Sequence, residues 1–386
     1  MYQDEDVQRR SAMRPPRVRP EHTVDVREAF CDNGEVLVFH PGSETGLRMS
    51  SSAVEVWDAC DGQRTVDEVC RELERRYGLP PGALEDEVLL TLDQLRDADL
   101  LRLDVDVSWA DFSTLARPRD DLEDVRTAIE LFQQRNGRRY ERRPLTIGRP
   151  AATLCHGSVA IEHAFQESTE DLEPAPLDHP NIARAEEWLA RWPLGHRQFA
   201  FLMRSFHPLL LPGASDIELG FLEGSTKCHS LQVPAMFGAM WSTVDCPFML
   251  AENFVHELAH QKLYGIGIFK EHCTGLIAND LTEGFRSPVM AQPRPMTAVV
   301  HAVYSYMYVT ALDLAILEQE PPGARRDSIV LRLDVNLRRL EEGRAEMHGN
   351  LRLVAEGEEF FAGFYQWLDE LIADGGGMVA AAGLVR

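Results

Sequence analysis

Residues 245–265 read DCPFMLAENFVHELAHQKLYG, and this stretch decides how the second half of the chain folds. Its apolar residues recur at the spacing of one helix face, at Leu250, Phe254, Val255, Leu258 and Leu263. Asp245 can cap the start of the helix, Pro247 is tolerated in the first turn, and Gly265 provides a stop. The stretch therefore predicts one helix with a strong apolar stripe.

The same helix carries two histidines that are four residues apart. His256 and His260 lie one turn apart on one face, so that both imidazoles can reach one metal ion. Glu257, between them, is close enough to act on metal-bound water, which makes this H-E-x-x-H string a candidate metal site with Glu257 as its catalytic group. The alternative is a pair of solvated or core histidines, and the position of the glutamate favours the metal site.

A third ligand is needed whatever the metal. His301 is the first candidate, because it lies on a long apolar segment with Tyr304 and Tyr308 on the same face. Glu283, 23 residues past His260, is the competing candidate and has a spacing compatible with a zinc peptidase of the gluzincin kind. Weaker candidates are His229, His272 and the pair Glu346 and His348.

The 386-residue chain has the composition of a soluble globular protein and enough length for two or three domains. Its 62 acidic and 39 basic residues give a formal charge of −23, which argues against a nucleic-acid partner because phosphate binding needs clustered cations. The seven cysteines form no C-x-x-C pair, so we expect no disulfide scaffold and a reducing compartment.

We expect a cytoplasmic protein that makes no membrane span. The N-terminal residues are polar and rich in Arg and Pro, with no apolar signal core. The most apolar long segment, residues 299–317, contains His301, three tyrosines and Asp313. These polar groups favour a buried helix over a membrane-spanning one.

Residues 22–104 predict a small domain that follows a flexible arm, residues 1–21. Strands are predicted at 23–26, 35–39 and 46–49, with a short closing strand at 100–103. Helices are predicted at 50–61, 65–77 and 84–98, the second one behind a Thr65–Glu68 capping box.

This arrangement closely resembles the PqqD-like family, the recognition element of pathways that modify ribosomally made peptides. The segments that carry the resemblance are LRMS at 47–50, VWDACDG at 56–62, TVDEV at 65–69 and LRDADLL at 95–101. The resemblance implies a winged-helix-like fold that binds the leader of a precursor peptide as an added strand. The residues implied in peptide binding are Leu47, Arg48, Met49, Val88 and Leu92.

A winged-helix-like unit can also bind DNA. Residues 21–104, however, contain 20 acidic and 8 basic residues, the opposite of the charge that a reader of DNA phosphates needs. An accessory domain with a purely structural role is the remaining alternative.

Residues 105–150 are predicted to be a mixed linker with one helix around 122–134. From 151 to 386 the chain reads mainly helical, with an amphipathic segment at 180–192 and short apolar runs at 209–212 and 217–222 that can form strands. The predicted fold class is therefore α+β, with a small N-terminal domain of three strands and three helices and a larger, mainly α-helical, metal-binding domain.

Residues 151–386 resemble the H-E-x-x-H domain proteins found beside peptide-modifying enzymes. The matching pieces are 230–238, 251–263, Ser287-Pro288, Arg294-Pro295 and 301–304. Members of this group are similar to iron- and 2-oxoglutarate-dependent oxygenases that hydroxylate β-carbons of precursor peptides. The resemblance implies Fe(II) held by His256, His260 and His301.

One departure from that group concerns the cosubstrate. The chain has Val289-Met290 after Ser287-Pro288, where the group has Trp-Arg. A dicarboxylate needs a fixed cation, and arginine pairs bidentately with carboxylate. Arg286 and Arg294 both precede the His301 segment, and the choice between them stays open.

The sequence therefore predicts a two-domain tailoring enzyme that binds a leader and hydroxylates a core side chain with Fe(II) and 2-oxoglutarate. One alternative is a zinc peptidase that trims the precursor, with Glu257 as general base. In an oxygenase the same glutamate would orient a ligand or water. The other alternative is a non-catalytic peptide-binding module with a structural metal.

Overall fold

The computed structural model describes residues 18–22, 27–30, 36–39, 46–61, 64–97, 100–105, 110–136, 152–163, 172–211, 230–231, 237–270 and 276–383. They belong to two compact units, Met1–Ala110 with Glu130–Glu141 and Asp111–Ile129 with Arg142–Arg386. Residues 111–129, which the sequence placed in the linker, thus belong to the second unit.

The first unit contains five described strands in two sheets. These are β1 (Val18–His22), β2 (Arg27–Phe30), β3 (Val36–Phe39), β4 (Gly46–Met49) and β5 (Leu101–Val105). The strands β2, β3 and β4 form an antiparallel meander, and β1 pairs antiparallel with β5. Among the described strands, β4 is therefore an edge of its sheet.

The strand predictions in this unit hold at three places. Those at 35–39, 46–49 and 100–103 are confirmed by β3, β4 and β5. The strand predicted at 23–26 lies outside the described residues. The flexible arm predicted for residues 1–21 is corrected only at its end, where Val18–His22 is paired along its whole length with β5; residues 1–17 lie outside the described residues.

Three helices follow the meander and confirm the sequence prediction: α1 (Ser51–Asp58), α2 (Val66–Tyr77) and α3 (Glu85–Asp97). The capping box of α2 is complete, since the carboxylate of Glu68 accepts a hydrogen bond of 2.8 Å from the backbone N–H of Thr65. Gly78, at φ 67°, ends the helix in the left-handed region. The apolar faces of all three helices meet in one core that contains Trp57 and Val69.

The second unit is built on a mixed sheet that the sequence did not predict. Its strands are β6 (Ala152–Leu154), β7 (Val159–Ile161), β8 (Glu173–Pro174), β9 (Ser205–Leu210), β10 (Ser230–Leu231) and β11 (Ala239–Thr243). The central strand β9 is parallel to β7 and to β11, and it is antiparallel to β8. The strands β9 and β11 are buried along almost their whole length, including their polar residues Ser205, His207 and Ser242. The run predicted at 217–222 lies outside the described residues.

Six described α-helices lie wholly in the second unit, and a seventh, α4 (Glu123–Asn136), begins in it and ends in the first; they account for the predicted helical character. The six are α5 (Pro180–Leu189), α6 (Pro193–Leu202), α7 (Pro247–Gly265), α8 (Met296–Gln319), α9 (Ala324–Asn350) and α10 (Ala355–Ala381). The motif helix α7 packs against α5, α6 and α8, and α8 packs against α9 and α10. The motif is thereby placed in the interior of the unit.

The start of α7 differs from the prediction. Cys246, not Asp245, is the residue at the cap position, and it makes no side-chain capping bond. The carboxylate of Asp245 instead accepts a hydrogen bond from the backbone N–H of Leu211. Pro247 occupies the first turn and Gly265 the last position, as predicted.

The long apolar helix α8 is a core helix. Its length and composition would allow it to cross a membrane, but 78% of its most apolar 18-residue window is buried within the protein. The prediction of a buried helix at 299–317 is confirmed. Its polar residues are buried too, including His301, Ser305 and Asp313.

Candidate metal centre

The two histidines of the motif point at one another from successive turns of α7. Nε2 of His256 lies 3.0 Å from Nε2 of His260. Two imidazole nitrogens bound to one zinc ion at about 2.0–2.1 Å would be about 3.3 Å apart. Among the described residues, Glu257 completes a group whose donor atoms all lie within 4.8 Å of one another. The donor set and its spacing fit a divalent metal ion.

His301 sets the protonation pattern of this pair. Its Nε2 lies 2.9 Å from the carbonyl oxygen of Ile268, which can only accept, so this nitrogen carries the proton. Its unprotonated Nδ1 then accepts a hydrogen bond from Nδ1 of His260, 2.9 Å away. A neutral His260 with its proton on Nδ1 has its lone pair on Nε2, the atom that faces His256.

The sequence predicted His301 as the third ligand, and the structure brings it to the site in a different position. It contacts the nitrogen of His260 that faces away from His256, and both of its own ring nitrogens are engaged. Its side chain is fully buried. This arrangement favours a role in orienting His260 over direct ligation.

Burial keeps all three imidazoles neutral at neutral pH. It lowers the pKa of His256 to about 3, with the charge of Lys270 as the next cause. The same two causes lower the pKa of His301 to about 3 and that of His260 well below its usual value. Neutral imidazole is the form that binds a metal, so an ion can bind here without a net loss of protons, once the proton of His256 moves from Nε2, which faces His260, to Nδ1.

Glu257 is a buried carboxylate, and among the described residues only one of its two oxygens has a hydrogen-bond partner. Its Oε1 accepts a hydrogen bond of 2.5 Å from the hydroxyl of Ser230, on β10, while Oε2 has no partner in the described part of the chain. Burial raises the pKa of Glu257, and the bond from Ser230 opposes that rise. A buried carboxylate oxygen without a partner, beside two metal-binding nitrogens, is suited to accept a proton from a metal-bound water.

Two cations that the sequence analysis missed act on this site. Arg339, on α9, donates a hydrogen bond of 2.9 Å to the hydroxyl of Tyr306 and lies 4.7 Å over its ring. The ring of Tyr306 in turn packs edge-on against His256, with centroids 5.8 Å apart. No carboxylate of the described chain pairs with Arg339, whereas nearby Arg332 is held by both oxygens of Glu252.

Lys270 is the second of these cations. Its positive charge lowers the pKa of His256, His260, His301 and Glu257 alike. Together with Arg339, whose charge also lowers the pKa of His256, it makes the surroundings of the pair electropositive. Such surroundings favour an anionic ligand.

The two arginines predicted to hold a cosubstrate are not brought to the histidines by any described contact. Arg286 is exposed and pairs with Glu342 at 3.3 Å. Arg294 is half-buried, and its backbone forms a bridge with Phe285. Val289 and Met290, which follow Ser287-Pro288, are exposed.

The competing third ligand also lies elsewhere. Glu283 binds Arg352 at 2.6 Å, and 41% of its side chain is exposed. Glu346 accepts hydrogen bonds from the backbone N–H of Arg286 and from Asn350, and His348 is exposed. The remaining sequence candidates, His229 and His272, lie outside the described residues.

A buried ion pair supports the opposite side of α7. Lys262 donates to Asp124 at 2.5 Å and to the hydroxyl of Tyr308 at 2.7 Å. Burial is the largest single influence and would lower the pKa of Lys262, but the charge of Asp124, the nearby Tyr304 and the hydrogen bonds to both together raise it above its usual value. A pair this deeply buried costs stability if one partner is lost, so it fixes α7 against α4 and α8.

The residues predicted to contact a peptide are mostly core residues in the first unit. Met49, Val88 and Leu92 are 2%, 1% and 3% exposed. The prediction for these three is corrected, because the apolar face of α3 packs onto the sheet and onto the other helices. Leu47 is half-buried and Arg48 is exposed.

Comparison with protein families identifies this first unit. Residues 35–101 match the family described as coenzyme PQQ synthesis protein D, PqqD. This segment is a PqqD domain. No curated protein matches the chain.

The PqqD domain spans β3, β4, the three helices and the first residue of β5. PqqD domains bind the leaders of precursor peptides in the biosynthesis of ribosomally synthesised and post-translationally modified peptides. The match confirms the family resemblance over residues 35–101 of the 22–104 for which it was stated, and it implies that the protein takes part in such a pathway. The edge strand β4 offers unpaired backbone groups among the described strands, which is what strand addition requires.

Proposed function

We propose that this protein is a cytoplasmic metalloenzyme that binds a precursor peptide through its PqqD domain and hydroxylates a side chain of the core peptide with Fe(II) and 2-oxoglutarate. The observation that carries the proposal is a leader-binding domain in one chain with paired imidazole nitrogens 3.0 Å apart on a buried helix. The covalent link raises the local concentration of core peptide at the metal.

Each part of the site has a place in this reaction. His256 and His260 would hold the metal, and His301 keeps the lone pair of His260 directed at it. Bound iron with 2-oxoglutarate would supply the oxidising power to insert one atom of dioxygen into a C–H bond. Buried Glu257 accepts or returns a proton at its free oxygen Oε2.

Arg339 is our candidate for binding the distal carboxylate of the cosubstrate, in place of Arg286. It is half-buried, it approaches His256 through the ring of Tyr306, and no described carboxylate neutralises it. Arg286 is already paired at the surface with Glu342. A guanidinium held by a tyrosine hydroxyl is preorganised for bidentate contact with a carboxylate.

A zinc peptidase is the second candidate function, favoured by the unpartnered oxygen of Glu257 beside the histidine pair. Its expected third ligand, Glu283, is bound to Arg352. The peptidase would therefore need a different third ligand.

Anaerobic loading separates the two functions. The chelator-treated protein is incubated without air with Fe(II), 2-oxoglutarate and the precursor peptide, and the mixture is then exposed to air. The mass of the peptide is measured by mass spectrometry. A gain of one oxygen that depends on both iron and 2-oxoglutarate supports the hydroxylase. Cleavage with zinc alone would establish the peptidase, and an unchanged peptide under both conditions would overturn both proposals. The His256→Ala/His260→Ala variant is the control.

The cosubstrate site is tested by a pair of arginine variants. Arg339→Gln is expected to raise the KM for 2-oxoglutarate at least tenfold, because a bidentate charge-assisted contact is lost. Arg286→Gln is the matched control and should leave this KM unchanged. The reverse result would return the role to Arg286.

A further inference from the structure

We propose a second metal site, outside the H-E-x-x-H cluster, in which Cys155, Glu186 and His196 bind one zinc ion and join the turn after β6 to helices α5 and α6. One donor atom from each side chain lies within 4.8 Å of the other two. The three residues come from separate parts of the chain, so their convergence is a product of the tertiary fold and not of a local sequence motif.

The contacts within this cluster place the donors around a common point. Oε1 of Glu186 accepts a hydrogen bond of 2.8 Å from the backbone N–H of Cys155. The same oxygen lies 3.5 Å from Nε2 of His196. That nitrogen is buried, and among the described residues it makes no hydrogen bond shorter than this long contact with Glu186. A bound cation would take the lone pair of His196 and the carboxylate of Glu186 at the same time.

The backbone at this cysteine is held in an uncommon conformation. Cys155 and His156 have φ of 52° and 55°, and Gly157 follows with φ of 90°. A residue other than glycine costs about 1–2 kcal/mol in the left-handed region. Two in succession persist when the surroundings fix them, and here the turn presents the Cys155 side chain to α5 and α6.

The three types of donor atom in this cluster indicate which metal ion it would bind. A thiolate, an imidazole and a carboxylate are the three ligand types that zinc takes in proteins, and three protein donors leave one position of a tetrahedral ion for water. The thiol is buried, whereas 27% of the Glu186 side chain and 19% of the His196 side chain remain exposed. An ion can therefore enter from the side of the two helices. Calcium and magnesium are excluded, because they prefer oxygen ligands throughout.

The site has a structural effect that does not depend on the chemistry at α7. A metal bound by all three residues ties the β6–β7 hairpin, which forms one end of the central sheet, to α5 and α6. Since α5 also packs against α7, the second ion would stiffen the framework of the first site.

Cobalt(II) substitution in the full-length, reduced protein tests the proposal, because only a cysteine ligand gives a sulfur-to-cobalt charge-transfer band in the near ultraviolet. The band is expected in the wild type and in the His256→Ala/His260→Ala variant, and it should disappear in Cys155→Ser. Cys246→Ser, at another buried cysteine, is the matched control and should keep the band. Zinc content measured in parallel should fall by one equivalent in Cys155→Ser.

A milder variant keeps the test valid if Cys155→Ser does not fold. Glu186→Gln retains the oxygen that accepts from the N–H of Cys155 but weakens a ligand, so cobalt affinity is expected to fall at least tenfold with the circular dichroism unchanged. A band that persists in Cys155→Ser, or a cobalt affinity that is the same in Glu186→Gln, would overturn the second site. Neither outcome bears on the histidine pair of α7.

Discussion

At the scale of single residues, His260 is central to the candidate metal site, because both of its ring nitrogens contact another histidine. Its Nδ1 donates to His301 and its Nε2 faces His256, so both sides of one ring are used. The carbonyl of Ile268 at the end of this chain of hydrogen bonds can only accept, and this fixes every proton along it. The backbone carbonyl of Ile268 therefore determines, through His301, which nitrogen of His260 has the lone pair that can bind a metal.

Substitution of His301 separates a positioning role from ligation. His301→Gln keeps one acceptor and one donor, and we expect it to bind metal more tightly than His301→Leu, which should lose about 10–100-fold in affinity. Competition with a chromogenic chelator measures both. His348→Gln, at an exposed histidine on α9, is the control. Equal and complete loss in both His301 variants would make His301 a direct ligand.

Part of this site can be read from the sequence and part cannot. The spacing of His256, Glu257 and His260 follows from helix geometry, which is local and therefore visible in a motif. Arg339 and Tyr306 join the site only because α8 and α9 pack together, and no short pattern records that packing. The direction of His301 was missed for the same reason, since a position on an apolar face does not say which neighbour the ring meets.

At the scale of elements, the boundaries of α7 could be predicted from the sequence, whereas the sheet beside it could not. Pro247 and Gly265 are strong local signals, and the helix begins and ends at them. The strands β9 and β11 are buried on both faces, yet they contain polar residues such as Ser205, His207 and Ser242, so neither an apolar run nor a polar face marks them in the sequence. The short apolar run at 209–212 had suggested a strand, and β9, which ends at Leu210, overlaps its start.

Gly265 has a packing role as well as marking the end of α7. A Cβ built there would lie 2.6 Å from the carbonyl oxygen of Ala128, on α4. The backbone of α4 at Ala128 cannot move aside without a cost in stability. Gly265→Ala should therefore lower the free energy of unfolding by about 1–3 kcal/mol and shift α4 away from α7. Gly376→Ala on α10 meets nothing within 4 Å and should be neutral or stabilise by up to about 1 kcal/mol. Urea denaturation measures the free energy of unfolding of both variants. Equal changes in the two would contradict the close contact between Gly265 and Ala128.

The buried imidazoles make the stability of the second unit depend on pH. His256 and His301 have folded-state pKa values of about 3, below the unfolded value of about 6.5. Between these limits the unfolded chain binds more protons, so stability is complete above about pH 6.5 and is lost as the pH falls towards 3. Each histidine contributes a slope of about 1.4 kcal/mol per pH unit.

Chelator-treated protein provides the measurement. Urea midpoints of the wild type should fall steadily from pH 7 to pH 4.5, and those of His301→Gln should fall less by the equivalent of about one proton. The difference between the two proteins removes the contribution of ordinary carboxylates, which they share. Parallel slopes would show that His301 is charged, or solvated, in the folded protein.

At the scale of the whole molecule, the PqqD domain and the histidine pair belong to different units of the chain. The PqqD domain lies within residues 21–104, whose 20 acidic and 8 basic residues argue against a nucleic-acid partner, and PqqD domains bind peptide leaders. The histidine pair lies in the other unit, which also contains residues 111–129 of the predicted linker. Composition cannot assign such a segment, because Asp124 is recognised as a core residue only through its pairing with Lys262.

The division predicts that binding and chemistry can be uncoupled. A core peptide without its leader should be modified with kcat/KM lowered by about 10²–10⁴, mostly through a higher KM, because tethering through the leader supplies an effective concentration in the millimolar range. Leader binding, measured by fluorescence anisotropy, should be the same in the wild type and in His256→Ala/His260→Ala, since the histidine pair does not belong to the unit that contains the PqqD domain. Arg48→Glu, on the exposed side of the edge strand β4, should weaken leader binding and raise the KM of the full precursor without altering its kcat. Full activity on the isolated core peptide would show that the PqqD domain does not deliver the substrate to this metal site.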